Sequence, residues 1–280
     1  MRLPVMAILL SILAAPFPSA AQTPAPDRKP PLDSPTAAPP APTPQNTPDQ
    51  QPVPQFERPV SWKLLVPNTA SDQKKIWLFP RKLGQRRIWI PAAVILGSAA
   101  GLVALDHLDE PYFRRTSFFQ GFNRVVTGNT AVVGTIALPV SLYVAGLARK
   151  DSKMTGTALL AGEAVADAEI LTTVLKDITK RERPISVPLQ GNFSDTFFDN
   201  QGSLIRGDGS FPSGHTIAAF AVATIVSRRY GNHRWVPYVA YGLAGVVAFS
   251  RLTLSAHFAS DIFVGGALGY SISRFAVLQQ

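Results

Sequence analysis

Three short stretches of the chain carry side chains suited to holding and attacking a tetrahedral oxyanion. The first runs from Lys176 through DITKRE to Arg183 and Pro184, and the second is Pro212-Ser213-Gly214-His215. The third is Ser250-Arg251-LTLSA-His257-FAS-Asp261. Lys176, Arg183 and Arg251 supply positive charge, Ser213 a hydroxyl, and Gly214 an amide at the mouth of an apolar run. Together they would cradle an oxyanion. His215 and His257 add a nucleophile and a general acid. Asp261, four residues after His257, lies one helical turn away if it opens a helix, where it would hold the imidazole in one tautomer. No metal or cofactor is called for, because side chains already supply the charge and neither histidine has partners at zinc-ligand spacing. Singly, each residue also has a plainer role: Ser213 as a helix cap, the three cations as solvated helix ends.

The elements that must position these residues are apolar segments at Ile88–Leu105, Val125–Leu147, Thr155–Leu175, Thr216–Val226, Val236–Phe249 and Ile262–Leu278. None alternates like a strand, and Ala, Leu and Gly dominate, so all six read as helices. The fold class is therefore all-α, a six-helix antiparallel bundle. In such a bundle the end of the third helix, the start of the fourth, the end of the fifth and the start of the sixth share one side. Topology alone thus gathers the charged residues and the two histidines at one pole.

The three stretches resemble the signature motifs of the type-2 phosphatidic acid phosphatase superfamily, which also holds bacterial acid phosphatases and vanadium haloperoxidases. Lys-x6-Arg-Pro, Pro-Ser-Gly-His and Ser-Arg-x5-His-x3-Asp match at every defined position and in order, from Lys176 to Asp261. The resemblance implies that His257 attacks phosphorus, forming a phosphohistidine, and that His215 protonates the leaving oxygen. It implies that Asp261 orients His257, while Lys176, Arg183, Ser213, the Gly214 amide and Arg251 hold the phosphoryl oxygens. The implied substrate is a lipid phosphate, such as phosphatidic acid or a polyprenyl diphosphate. A soluble periplasmic broad-specificity acid phosphatase is the first alternative, and a vanadate-dependent haloperoxidase or an inactive membrane scaffold stands behind it.

Composition agrees with a membrane-associated partner for this pole. The formal net charge is +9 over 280 residues, with 46% hydrophobic and 16% charged residues and no cysteine. Basic nucleic-acid binders carry more charge than that, so anionic lipid or phosphate is the expected partner and nucleic acid is not. Residues 1–21 read as a signal peptide or N-terminal apolar anchor, and 22–59 as a Pro-rich disordered linker. Residues 60–87, with Trp62, Trp77 and Phe79 among lysines and arginines, read as an interfacial segment, and 88–280 as the helical phosphatase domain.

Two features pull against each other. Basic residues before the first helix, at Arg149, Lys150 and Lys153, and at Arg228, Arg229 and Arg234 place the opposite pole in the cytoplasm if the helices span. A cleaved signal at Ala21 would reverse that orientation. Glu163, Asp167 and Glu169 also weigh against a span in the third segment, each costing about 2.5–3.5 kcal/mol at a bilayer centre unless paired. The integral form is favoured, with the active pole on the periplasmic side and a secreted periplasmic form as the alternative. Asp106, Asp109 and Glu110 read as a solvated acidic loop, or less readily as a divalent-ion site. His107 and His233 read as surface residues. Phe193, Phe197 and Phe198 either line an acyl-chain entrance or pack onto the bundle.

Overall fold

The computed structural model describes residues 58–199 and 208–278. The expected signal or anchor, most of the Pro-rich linker and part of the loop before Gly209 lie outside the described residues. Among the described residues all regular secondary structure is helical. The helices are α1 (Leu65–Leu78), α2 (Arg86–Arg115), α3 (Gln120–Val125), α4 (Gly128–Arg149), α5 (Ser152–Thr179), α6 (Gly214–Arg229), α7 (Trp235–Thr253) and α8 (Ala259–Ser271). A short 3-10 turn (Phe79–Lys82) follows α1, and a π turn (Ile272–Val277) extends α8. All six expected apolar helices are present; α1 and α3 are additional.

Local chemistry sets the boundaries. Thr127 caps α4 by accepting from the Thr130 amide at 3.2 Å. Asp151 caps α5 by accepting from the Lys153 and Met154 amides at 2.8 and 3.1 Å. Between α4 and α5, Lys150 takes a left-handed conformation, which folds them into a tight antiparallel pair. Lys180 does the same at the end of α5 and sends the chain back beneath the active pole.

Helix α6 is the central post. One side of it packs with α2, α7 and α8 around Ala219, Phe220, Ala223, Ala244 and Ile262. The other packs with α5 and the π turn around Leu160, Ala164, Ile217, Ile225 and Ile272. Close approach of α8 depends on two glycines. A Cβ on Gly265 would stand 2.9 Å from the Ser213 carbonyl, and one on Gly269 would stand 2.3 Å from the Ile217 carbonyl.

Three helices, α2 from Ile88, α4 and α7, are long and apolar enough to cross a membrane. They turn Val94, Leu96, Val133, Val140, Leu243 and other large apolar side chains outward. A belt of that size is a lipid-facing surface rather than a solvated one. The chain is a membrane protein on this evidence. The short α6 and the carboxylate-bearing α5 carry many of the buried residues and form the core.

Two of the three carboxylates that weighed against α5, Glu163 and Asp167, are paired from the N-terminal side, and the third, Glu169, is exposed. Glu163 accepts from Arg58 at 2.5 Å and from Asn68 at 2.7 Å, and Asp167 accepts from Gln73 at 2.9 Å. Arg58 also bonds the buried Asp72 at 2.7 Å. The expected linker therefore ends before Arg58, which is anchored in the body. Within the expected interfacial segment, residues 65–78 form a polar-faced helix seated on α5, while Trp62, Trp77 and Phe79 remain exposed.

Candidate active site

The antiparallel topology brings the expected site residues to one pole. Lys176 sits in the last turn of α5, Ser213 precedes α6, Gly214 and His215 open it, Arg251 lies in the last turn of α7, and Asp261 lies in the first turn of α8. Their mutual electrostatics show how closely they gather. Burial, then the charges of Arg251, His257, Lys176 and Arg183, push His215 down to about 4. Burial, then Arg183, pushes Lys176 down to about 8, against the opposing pull of Glu169, Asp261 and Asp208.

The cations are not solvated helix ends. Arg251 is 2% exposed. It is held by the Ser250 hydroxyl, which accepts from Nε at 3.0 Å and from Nη2 at 2.8 Å. Among the described residues Arg183 bonds the backbone carbonyls of Asp208 and Ala256, at 3.4 Å each. Among the described residues neither arginine forms an ion pair with a carboxylate, and nor does Lys176. Three partly or fully buried cations facing one another is an unfavourable arrangement that a bound anion relieves. Ser213 is buried but does not cap α6 with its side chain; its hydroxyl shares a 2.9 Å hydrogen bond with Thr216. The first amides of α6 are thus left without a side-chain acceptor.

His257 is 1% exposed. Its Nδ1–H donates to the Ser210 carbonyl at 2.7 Å, which leaves the lone pair on Nε2. Asp261 Oδ2 lies 3.6 Å from Nδ1, beyond hydrogen-bond range. It instead accepts from the Ser210 hydroxyl at 2.5 Å and from the Phe258 amide at 2.9 Å. The direct contact expected between Asp261 and His257 is therefore replaced by a relay through Ser210, with the carboxylate close enough to act by charge. Burial works against the charge on Asp261, yet Arg181 foremost, then His257 and Ser210, hold it below the ordinary carboxylate range.

Arg181 is the functional residue that motif reading passes over, since it occupies a variable position between Lys176 and Arg183. It is 1% exposed and bonds Thr196, Ser260, Asp261 and Asp106 at 3.0, 2.7, 2.6 and 2.7 Å. Its guanidinium lies between the rings of Phe197 and Phe258, 4.4 and 4.0 Å from their centroids. The acidic cluster reading is corrected accordingly. Asp106, Asp109 and Glu110 are neither loop nor solvated, because α2 continues to Arg115 and buries all three. Asp106 is taken by Arg181 and by the Ser260 hydroxyl and amide.

The loop aromatics divide. Phe193 is buried with Val187 and Phe258, Phe197 stacks on Arg181 and Phe211, and Phe198 is 75% exposed. His107 and His233 are at the surface, as expected.

A membrane-embedded helical bundle with a cationic, histidine-bearing pole defines the class. Residues 156–280 match the PAP2 superfamily, which spans all three motifs. The chain is 40% identical over 75 residues to lipid A 1-phosphatase of Porphyromonas gingivalis, a stretch covering 25% of this chain and 17% of that protein. It is 27% identical over 188 residues to phosphatidylglycerophosphatase B of Bacillus subtilis, covering 63% of this chain and 85% of that one. It is 31% identical over 114 residues to decaprenylphosphoryl-5-phosphoribose phosphatase of Mycobacterium tuberculosis, covering 41% of this chain and 56% of the relative. The match thus spans well under two thirds of two of these three relatives. The solved transmembrane PAP2-type phosphatidylglycerolphosphate phosphatase from Bacillus subtilis aligns over 74% of this chain and 92% of its own, with 18% identity and a TM-score of 0.40.

Proposed function

We propose that this protein hydrolyses the phosphate or diphosphate group of a membrane lipid through a phosphohistidine intermediate. The observation that carries this reading is the set of three cations with no carboxylate partner among the described residues, Lys176, Arg183 and Arg251, gathered around His215 beside the buried His257. In the first step His257 Nε2 bonds to phosphorus as the ester oxygen leaves, and His215 gives that oxygen a proton. In the second, water attacks the same phosphorus, His215 takes its proton, and the P–N bond breaks to release phosphate. Lys176, Arg183, Arg251, Ser213 and the Gly214 amide hold the non-bridging oxygens throughout. A low proton affinity at His215 in the empty site fits this cycle. The arriving phosphate brings negative charge against the surrounding cations and raises that affinity where the acid is needed.

A lipid substrate is supported by the apolar belt of α2, α4 and α7, which sets the site at a membrane surface. The names of the relatives, all phosphatases and two of them of lipids by name, agree with it. Exposed apolar side chains around the active pole, Phe118, Ile178, Ile185 and Phe198, suit contact with the bilayer interface. The opposite pole carries Arg149, Lys150, Arg228 and Arg234, so the positive-inside rule turns the active pole away from the cytoplasm. The chain contains no cysteine. A cysteine placed at Lys150 or at Ser186 therefore reports orientation without background. Ser186→Cys should react with a membrane-impermeant thiol reagent in whole cells and Lys150→Cys should not; the reverse pattern rules out this orientation.

The activity is tested by phosphate release from phosphatidic acid, an isoprenyl diphosphate and a soluble aryl phosphate, with EDTA present, in the native chain and in His257→Ala. Release that persists in EDTA and is lost in the variant is expected, with the lipids preferred. Undiminished release by the variant would exclude His257 as the nucleophile.

A further inference from the structure

His257 owes its orientation to groups that do not touch the phosphate, and these converge on Arg181. The imidazole Nδ1–H rests on the Ser210 carbonyl. Ser210 is in turn held from two directions. Its amide donates to the Arg181 backbone carbonyl at 2.7 Å, and its hydroxyl donates to Asp261. The other oxygen of Asp261 is bonded by Arg181 Nη1 at 2.6 Å. The same residue therefore fixes the acceptor of His257 through its main chain and, by way of Asp261, through its side chain.

We propose that Arg181 is a positioning residue for the nucleophile, tying His257 through Ser210 and Asp261 to Asp106 of α2. The inference rests on the phosphatase reading above. Arg181 spends each face of its planar fork on a different element: Nη2 on Asp106 of α2, Nη1 on Ser260 and Asp261 of α8, and Nε on Thr196 of the loop. Lysine, a single point charge, cannot reproduce that set. Without the guanidinium, Asp106, still bonded by Ser260, and Asp261, still bonded by Ser210, become two buried carboxylates repelling each other. Asp261 then swings from Ser210, and the carbonyl beneath His257 loses its fixed place. Arg181 is 1% exposed and its guanidinium is engaged by Thr196, Ser260, Asp261 and Asp106, so phosphate binding does not call on it.

The consequence is a separation of turnover from affinity. Arg181→Met should lower kcat about a hundredfold, as expected for a misplacement of about 1 Å at the reacting atom, while KM stays within a factor of about three. It should also lower thermal stability, because Asp106 is left unpaired. The decisive variant is therefore Arg181→Met combined with Asp106→Leu, which removes the orphaned carboxylate. Stability should recover while kcat stays low, and trapped phosphoenzyme should form as slowly as in the single variant. Recovery of kcat together with stability would overturn the proposal, reducing Arg181 to a structural ion pair. A raised KM at unchanged kcat would overturn it too, placing Arg181 in the phosphate cradle. Should neither Arg181 variant fold, Ser260→Ala decides, since it removes the hydroxyl shared by Arg181 and Asp106: a several-fold fall in kcat at constant KM supports the proposal, and an unchanged kcat overturns it. The native chain is assayed alongside. Its inactivity on every phosphate ester would remove the phosphatase reading and this inference with it, whereas an active native chain beside a fully active double variant removes only the inference.

Discussion

Replacing Gly269 by Ala tests whether the contact between α6 and α8 sets catalytic geometry from a distance. Gly269 lies well along α8 from the active pole, and no site residue touches it. A Cβ there would stand 2.3 Å from the Ile217 carbonyl and 3.0 Å from the Ala221 amide nitrogen. A carbon meets a carbonyl oxygen at about 3.3 Å in ordinary close contacts. Helix α8 must therefore withdraw by about 1 Å, or α6 must bend. Both contacts are to backbone, so no side chain can turn aside to relieve them. Overpacking of this kind costs about 1–3 kcal/mol. The catalytic effect should be larger in proportion. Helix α8 carries Asp261 and follows directly on His257, while α6 carries His215, and a displacement of about 1 Å between nucleophile and acid costs about a hundredfold in rate. The assay is phosphate release per folded molecule, with thermal unfolding in detergent measured in parallel. Gly266→Ala serves as the control, since its Cβ would meet only the Phe220 ring at 3.6 Å, an ordinary contact. Native-like turnover in Gly269→Ala at reduced stability would refute the coupling. Equal damage from Gly266→Ala would show that the glycines act through something other than this clash.

Arg251→Ala should cut turnover by orders of magnitude without unfolding the protein, as measured by kcat/KM and by thermal denaturation; near-normal turnover removes Arg251 from the site. Lys176, with its ammonium held near 8, is protonated below that pH and loses its charge above it. KM should therefore climb as pH rises through about 8, and Lys176→Arg should abolish that climb in a pH series of initial rates. Arg58→Ala leaves the buried Asp72 and Glu163 without their shared guanidinium. Removing one partner of a buried pair costs about 3–5 kcal/mol, which a lowered melting temperature would register while kcat of the folded fraction holds.

The parts of the molecule that were readable in its sequence are those whose signal is local. Each of the six apolar runs is a helix because sustained hydrophobicity over such lengths has few other uses, and the motif residues fall at helix ends because the runs stop there. Helix α1 escaped because LVPNTASDQKKIWL has no apolar stripe. On the face it turns to α5, Asn68, the buried Asp72 and Gln73 carry the polar contacts, and their partners, Arg58, Glu163 and Asp167, lie at distances in sequence that no periodicity connects. The same carboxylates made α5 look doubtful as a helix of a membrane protein until α1 was seen to pair them. Asp106 was misread for a related reason. DHLDE resembles the solvated end of a helix, and only the fold reveals that α2 continues to Arg115 and that an arginine seventy-five residues away has turned to meet it.

The electrostatic design of the pole follows from its two layers. The inner layer, Lys176, Arg183 and Arg251, is left without carboxylate partners among the described residues, so it is strained until an anion arrives. The outer layer is the reverse: Asp106 and Asp261 share Arg181 and leave one negative charge in excess, directed at His257. Placing that charge 3.6 Å from the imidazole rather than in direct contact has a chemical consequence. A hydrogen-bonded carboxylate would favour the imidazolium strongly and hold the proton on the ring. The Ser210 carbonyl, being neutral, fixes the same tautomer with less pull on the proton, so the ring stays neutral and its Nε2 lone pair stays available. On the proposed phosphohistidine route the ring would become cationic once bonded to phosphorus, and Asp261 is near enough to stabilise it by charge. The relay through Ser210 would then separate orientation of the proposed nucleophile, which must hold throughout, from charge stabilisation, which matters only after attack.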